Sequence, residues 1–128
     1  MTKRRVDDQI YSRIAMDADD KDKEFSTKAV HSGMVEVEGS ATTPIFLTST
    51  YRLTDEKYKG WADGLHHTGP VYSRISSVNS EVVSAKLASL EGAEDAEVFA
   101  SGMSAISTTL MTLLSNGDHI VATPDCYG

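Results

Sequence analysis

The clearest periodicity of apolar positions lies in the second half of the chain. Val83, Leu87 and Leu90 fall at i, i+4 and i+7, which marks one apolar face of a helix. Asn79 or Ser80 stands where the N-terminal cap of that helix belongs, and Gly92 where a left-handed residue would end it. Residues 96–100, AEVFA, are short and apolar enough for a buried strand, and Ser101-Gly102-Met103 breaks them off. Ile106, Leu110, Leu113 and Leu114 mark a second helix closed by Asn116-Gly117, and residues 119–123, HIVAT, read as a second strand. Strand, turn, helix, turn and strand make a βαβ unit, so the pattern predicts an α/β fold with a mainly parallel sheet.

The first half is less regular. Residues 43–51, TPIFLTSTY, are apolar and β-branched without clean alternation, which predicts an extended segment. Residues 52–70 are polar and carry Gly60, Gly64, Gly69 and Pro70, which predicts a long loop. Residues 1–24 are highly charged, with DADDKDKE at 17–24, and predict a mobile arm. Within it Val6, Ile10 and Ile14 have the spacing of a short amphipathic helix.

Composition narrows the function. The net charge of −7 argues against a nucleic-acid-binding surface. No apolar run approaches the roughly 18 residues of a membrane span, and the N-terminus lacks the apolar core of a signal peptide. The single cysteine, Cys126, rules out a disulfide framework within the chain. These features favour a cytoplasmic protein. The 128 residues suffice for one modest domain, yet they stop in a turn signature, Pro124 to Gly128, directly after the HIVAT stretch. That ending predicts an incomplete domain.

Two constellations have the chemistry of anion binding. Ser101-Gly102-Met103-Ser104 opens a helix after a strand, so its first amides lack helical partners and the positive end of the helix dipole faces outward. Gly102 admits close approach, and Ser101 and Ser104 add hydroxyls. The plainer alternative is a tight turn with a serine cap. The motif lacks the lysine of a nucleotide-triphosphate loop and is not G-x-G-x-x-G. In Tyr72-Ser73-Arg74, an extended backbone would aim Tyr72 and Arg74 the same way, toward one phosphate. The alternative there is a surface ion pair.

Seven stretches in order resemble one family: AVHSG (29–33), PIFLTSTY (44–51), YSRIS (72–76), LASLEGAE (87–94), ASGMSAI (100–106), LLSNGDHIV (113–121) and DCYG (125–128). Together they resemble the Cys/Met-metabolism family of pyridoxal-phosphate enzymes, which includes cystathionine γ-synthase, cystathionine γ- and β-lyases, methionine γ-lyase and O-acetylhomoserine sulfhydrylase. The resemblance implies the N-terminal portion of a fold-type-I, aminotransferase-like subunit of a homo-oligomer, a dimer of catalytic dimers. It implies an arm over residues 1–24, a segment over 25–71 that contacts a neighbouring subunit, and the start of the cofactor-binding domain over 72–128. Gly102 and Met103, with Ser101, would hold the phosphate of pyridoxal 5'-phosphate. Tyr72 and Arg74 would reach the phosphate of a neighbour's cofactor, and Tyr127 would stack on the ring. The implied substrate is a sulfur-containing or activated-homoserine amino acid. The lysine that carries the cofactor as a Schiff base is expected beyond Gly128, so no catalytic residue falls in this chain. The rival reading is a non-catalytic fragment that only binds or associates. A departure stands at 77–79, where Ser77-Val78-Asn79 replaces the family's usual Asn-Pro-Thr. Asn79 would then serve as the cap, and loss of the proline should loosen the turn.

Other residues point elsewhere. Adjacent His66 and His67 point apart in most backbones and have no further ligand at metal spacing, so no metal is expected. His31 reads as a structural histidine, since no triad order surrounds it. Cys126 reads as a small residue at a strand end or beside the cofactor. A Rossmann-type nucleotide binder fits the βαβ unit but lacks its glycine fingerprint. Tyr58 and Trp61 could pack on a neighbour or edge a site.

Overall fold

A computed structural model describes residues 20, 22–64 and 69–126. The weak helical pattern of Val6, Ile10 and Ile14, the histidine pair at 66 and 67, and Tyr127 lie outside the described residues. The chain divides into two units, Met1–Glu97 and Val98–Gly128, and each is described by itself.

The first unit holds α1 (Phe25–His31), α2 (Asp55–Ala62) and α3 (Val78–Glu91). Two of these correct the sequence reading. Residues 25–31 form a helix that hydropathy does not mark, because α1 spans about two turns and buries no side chain of its own. Residues 55–62 form a helix where a loop was expected. Thr54 caps it, its side chain accepting from the Lys57 amide at 3.3 Å. Its covered positions are Lys57 and Gly60, which carry no hydrophobic signal.

α3 forms where expected but turns differently. Ser77, not Asn79 or Ser80, is its N-cap. The Ser77 hydroxyl accepts the Ser80 amide at 3.2 Å, and the Ser80 hydroxyl accepts the Ser77 amide at 3.0 Å, a reciprocal capping box. Gly92 ends the helix in the left-handed conformation, as the sequence implies, and the Ala93 amide reaches the Ala88 carbonyl at 2.9 Å. The large apolar face faces out: Val83 is 46% exposed and Leu87 42%. The face turned inward is the smaller one, with Val78, Ser84, Ala88 and Ser89 buried and Val82 and Ala85 packed on the core.

Small side chains face inward because the backbone of α3 is approached closely. Gly33 follows α1 at φ +67°, and a Cβ placed there would lie 2.9 Å from the Val82 carbonyl oxygen and 3.1 Å from the Ala85 Cβ. Beyond Gly33 the chain delivers Val35, fully buried, onto Val78, with Val37, Phe46 and Tyr51 packed around them. Full burial of one valine is worth about 1.5–3 kcal/mol, so this core is modest. Thr43 accepts the Val35 amide at 2.9 Å, and Lys86 donates to the Val30 carbonyl at 3.1 Å near the end of α1.

A buried polar cluster joins Asp20 to α1 and α3. The Ser89 hydroxyl lies 3.3 Å from Asp20 Oδ2 and 3.1 Å from Ser32 Oγ, and Lys23 donates to Asp20 Oδ1 at 2.7 Å. The Lys23 hydrogen bond, then those from Ser32 and Ser89, hold the Asp20 carboxyl below its usual 3.8, against the opposing effect of burial.

The second unit contains α4 (Gly102–Leu113), capped by Ser101 and closed at Leu114 ahead of a turn containing Gly117 at φ +101°. No residue of α4 is buried. Residues 96–100 and 119–123, expected as strands, carry no strand assignment, and among the described residues there is no ladder, only an isolated antiparallel bridge between Thr50 and Tyr72. Hydropathy shows that a stretch suits a strand, but a strand forms only against a partner, and these two do not pair with each other.

Two predictions concern stability. Gly33→Ala should lower unfolding free energy by about 2–4 kcal/mol, from strain at positive φ plus backbone overlap. Gly39→Ala, at φ +78° with nothing within 4 Å, should lose only about 1 kcal/mol; equal losses in urea denaturation would refute the contact. Because Asp20 is depressed, its stabilisation is fully present above about pH 3.8 and lost as pH falls through the lower folded value. Asp20→Asn should therefore lower the midpoint at pH 7, by an amount that shrinks as the pH falls below 3.8. A gap that stays constant down to the acid limit of folding would exclude the ionised cluster.

Candidate functional site

In the second unit the anion motif is intact and open. Ser101 has extended backbone and accepts the Ser104 amide at 3.1 Å, and its hydroxyl lies 2.9 Å from that of Ser104. The plain capping role and the anion role are compatible, since capping uses the Ser101 oxygen and, with one hydroxyl donating to the other, one hydroxyl proton of the pair is left for an acceptor. The Gly102 and Met103 amides donate to no described residue, which is the normal state of a first helical turn. A Cβ at Gly102 would meet nothing within 4 Å, and both residues are exposed. Two aligned donors at the positive end of a 12-residue helix fit a phosphate group.

In the first unit, Tyr72 and Arg74 meet, though not through an extended backbone. Tyr72 is held at both sides: the Tyr51 amide donates to the Val71 carbonyl at 3.1 Å, and the Ser73 amide to the Ser49 carbonyl at 2.8 Å. The chain then turns, with the Ile75 and Ser76 amides donating to the Tyr72 carbonyl at 2.9 and 3.1 Å. The turn folds Arg74 back over Tyr72, its guanidinium carbon 5.2 Å from the ring centroid. Such stacking is worth roughly 0.5–1 kcal/mol when exposed and restricts the arginine in advance of any ligand. Among the described residues the one salt bridge is that of Lys23 with Asp20, so the expected alternative of a surface ion pair at Arg74 is not what the structure holds.

Asn79, expected as a cap, makes a longer connection. Its Oδ1 accepts the Phe46 amide at 3.1 Å and its Nδ2 donates to the Phe46 carbonyl at 3.0 Å. Sequence gave no sign of this pairing, which spans 33 positions. Of the remaining candidates, His31 is exposed at the end of α1, and Cys126 is exposed with its sulfur 2.9 Å from the Thr123 carbonyl. Tyr58 and Trp61 are exposed on α2. Among the described residues no group of three His, Cys, Asp or Glu side chains could hold a metal ion.

The first unit also holds a cavity of about 430 Å³ lined by Ile75, Ser76, Ser80, Ser84 and the acids Glu81, Asp95 and Glu97. A smaller space of about 350 Å³ is lined by Trp61, Val71 and, again, Glu81 and Glu97. Burial, then the carboxylates of Glu97 and Asp95, push the Glu81 carboxyl above its usual 4.5. This acidic wall disfavours a phosphate. A raised carboxyl destabilises the fold wherever it must ionise and is neutral below its unfolded value. Glu81→Gln should thus raise the denaturation midpoint at pH 7, with the gain vanishing below about pH 4.5. A gain that persists at pH 3.5 would point to packing instead.

Comparison with known proteins is consistent with this geometry. A family model described as Cys/Met metabolism PLP-dependent enzyme matches residues 26–128. A probable cystathionine gamma-synthase of Herpetosiphon aurantiacus is 42% identical over 106 residues, covering 81% of this chain and 30% of that protein. An L-methionine gamma-lyase of Fusobacterium nucleatum subsp. polymorphum is 36% identical over 105 residues, covering 81% and 27%. An O-acetyl-L-homoserine sulfhydrylase of Corynebacterium glutamicum is 34% identical over 106 residues, covering 81% and 24%. The chain thus spans about a third or less of these relatives. Because the family model matches most of the chain, both candidate turns included, the chain belongs to the Cys/Met metabolism family of enzymes, whose cofactor is pyridoxal 5'-phosphate.

Proposed function

We propose that the intact protein containing this chain is a lyase or transferase of sulfur amino-acid metabolism. It would carry out β- or γ-elimination, or γ-replacement, on cystathionine, methionine or an activated homoserine. The family match over residues 26–128 and relatives that include a γ-synthase, γ-lyases and a sulfhydrylase support this reading. The observation that carries it here is the unpartnered Gly102 and Met103 amide pair at the start of α4.

When bound, pyridoxal phosphate supplies an electron sink for charge developing at the amino acid's α-carbon. The chain's own residues bind and orient. The amides of Gly102 and Met103 and the hydroxyl of Ser101 take the phosphate oxygens. Arg74, restrained by Tyr72, neutralises the phosphate of a neighbouring subunit's cofactor, with the Tyr72 hydroxyl donating beside it. Tyr127 covers one face of the ring. In this reading the lysine that carries the cofactor and the groups that move protons are supplied by the rest of the intact protein.

In this reading the subunit has the fold-type-I α/β architecture, and residues 96–100 and 119–123 enter its sheet. Residues 25–71 contact a neighbouring subunit, and the chain from 72 begins the cofactor domain. The assembly is a cytoplasmic homotetramer of two catalytic dimers. No described helix is long and apolar enough to cross a membrane.

The intact protein should be yellow, and borohydride should abolish its visible band. Arg74→Ala should weaken pyridoxal-phosphate binding about 10- to 100-fold, from roughly 1.5–3 kcal/mol for a hydrogen bond to a charged group. A pure, colourless intact protein that takes up no added cofactor would overturn the reading.

A further inference from the structure

We infer that Asn79 is a positioning residue for the cofactor phosphate, acting through Phe46 on the turn that presents Tyr72 and Arg74. The inference rests on the proposed role of that pair. It begins with what holds residues 47–50, which lead into the bridge of Thr50 to Tyr72. They are exposed, Leu47 to 95%, so no core contact fixes them. They are held at each end by hydrogen bonds and by the packing of Phe46 and Tyr51 on the core.

At one end is Asn79. A primary amide has one acceptor and one donor side, and Phe46 offers one backbone N–H and one C=O. The two bonds, 3.1 and 3.0 Å, satisfy both and fix which way the Asn79 amide points. At the other end the Ser49 carbonyl takes the Ser73 amide, and the Tyr51 amide donates to Val71. From Tyr72 the chain turns through Arg74 and enters the Ser77 capping box, which leads back to Asn79 in the first turn of α3. The connections form a closed circuit that starts and ends on Asn79, and Tyr72 and Arg74 lie on it. Val78, buried in the core beside Asn79, anchors the circuit to the rest of the unit.

Breaking the clamp at Phe46 opens the circuit while leaving Tyr72, Arg74 and the stacking contact chemically intact. The expected consequence is lost preorganisation: the guanidinium must be ordered when the phosphate binds, at a cost in affinity. A residue acting only by general stability would not couple to Arg74 in particular.

The test uses the intact apoenzyme and measures pyridoxal-phosphate dissociation constants by equilibrium dialysis. Asn79→Ala should weaken binding about tenfold in the parent and cause no further loss in an Arg74→Ala background. Amide hydrogen exchange should accelerate at Phe46, Tyr51 and Ser73. Gly39→Ala, which strains the backbone of the same unit where nothing lies within 4 Å, should leave the dissociation constant unchanged. If Asn79→Ala does not fold, Asn79→Asp keeps the acceptor for the Phe46 amide and loses the donor to its carbonyl, and should give a smaller loss that also disappears without Arg74. Loss of equal size in both backgrounds, or no loss while Arg74→Ala weakens binding, would overturn the inference. If Arg74→Ala itself has no effect, the phosphate role of the pair fails instead.

Discussion

The backbone of Gly33 lies so near α3 that only hydrogen fits on its α-carbon, and much of the first unit follows from that approach. Close packing requires small residues on the facing side of the helix, and Ala85, Ala88 and Ser89 supply them. It also directs the chain leaving α1 so that Val35 is delivered onto Val78. With Val78 held, the first turn of α3 is fixed, and Asn79 stands in that turn facing Phe46. A packing constraint at one glycine is thereby carried to the turn that bears Tyr72 and Arg74. Each step is a hydrogen bond or a buried contact, so the connection is a matter of position and needs no motion.

The second unit reaches its chemistry by local means. The Ser101 cap and the orphan amides of Gly102 and Met103 come from the helix's own geometry, and no buried residue of α4 is needed to create them. This explains why the Ser-Gly-Met turn was legible in sequence, down to the capping serine. Gly92 as a helix end and the existence of α3 were legible for the same reason, since caps and turns are short-range. The family was legible too, because seven motifs in order constrain far more than any one of them.

What was not legible depended on contacts distant in sequence. The apolar moment of α3 pointed to Val83 and Leu87, yet the approach of Gly33 selected the face with smaller side chains. α2 hid in a polar stretch because the positions it covers are a lysine and a glycine. The bonding of Asn79 to Phe46 could not be foreseen, since nothing local distinguishes an asparagine that caps a helix from one that binds a distant backbone. Tyr72 and Arg74 come together through a turn that stacks one on the other, not through the alternation of a strand. The strands expected at 96–100 and 119–123 rest on hydropathy, which carries no information on the neighbour that would pair with them.

The departure from Asn-Pro-Thr now has a physical account. Proline in the first helical turn fixes φ and removes an amide that would be unpaired, an advantage of about 0.4–1 kcal/mol through the unfolded chain. Val78 occupies that first position here and gives up this restriction. In its place Ser77 and Ser80 satisfy each other's backbone amides, and a cap of this kind is worth about 1 kcal/mol. The two contributions are of the same size, so the missing proline does not imply a loose turn. With Ser77 as the cap, the third position of the motif takes no part in capping. An asparagine there, with Ser77 already serving as cap, can direct both halves of its amide to Phe46. The sequence departure and the long-range clamp are on this account two parts of one local solution.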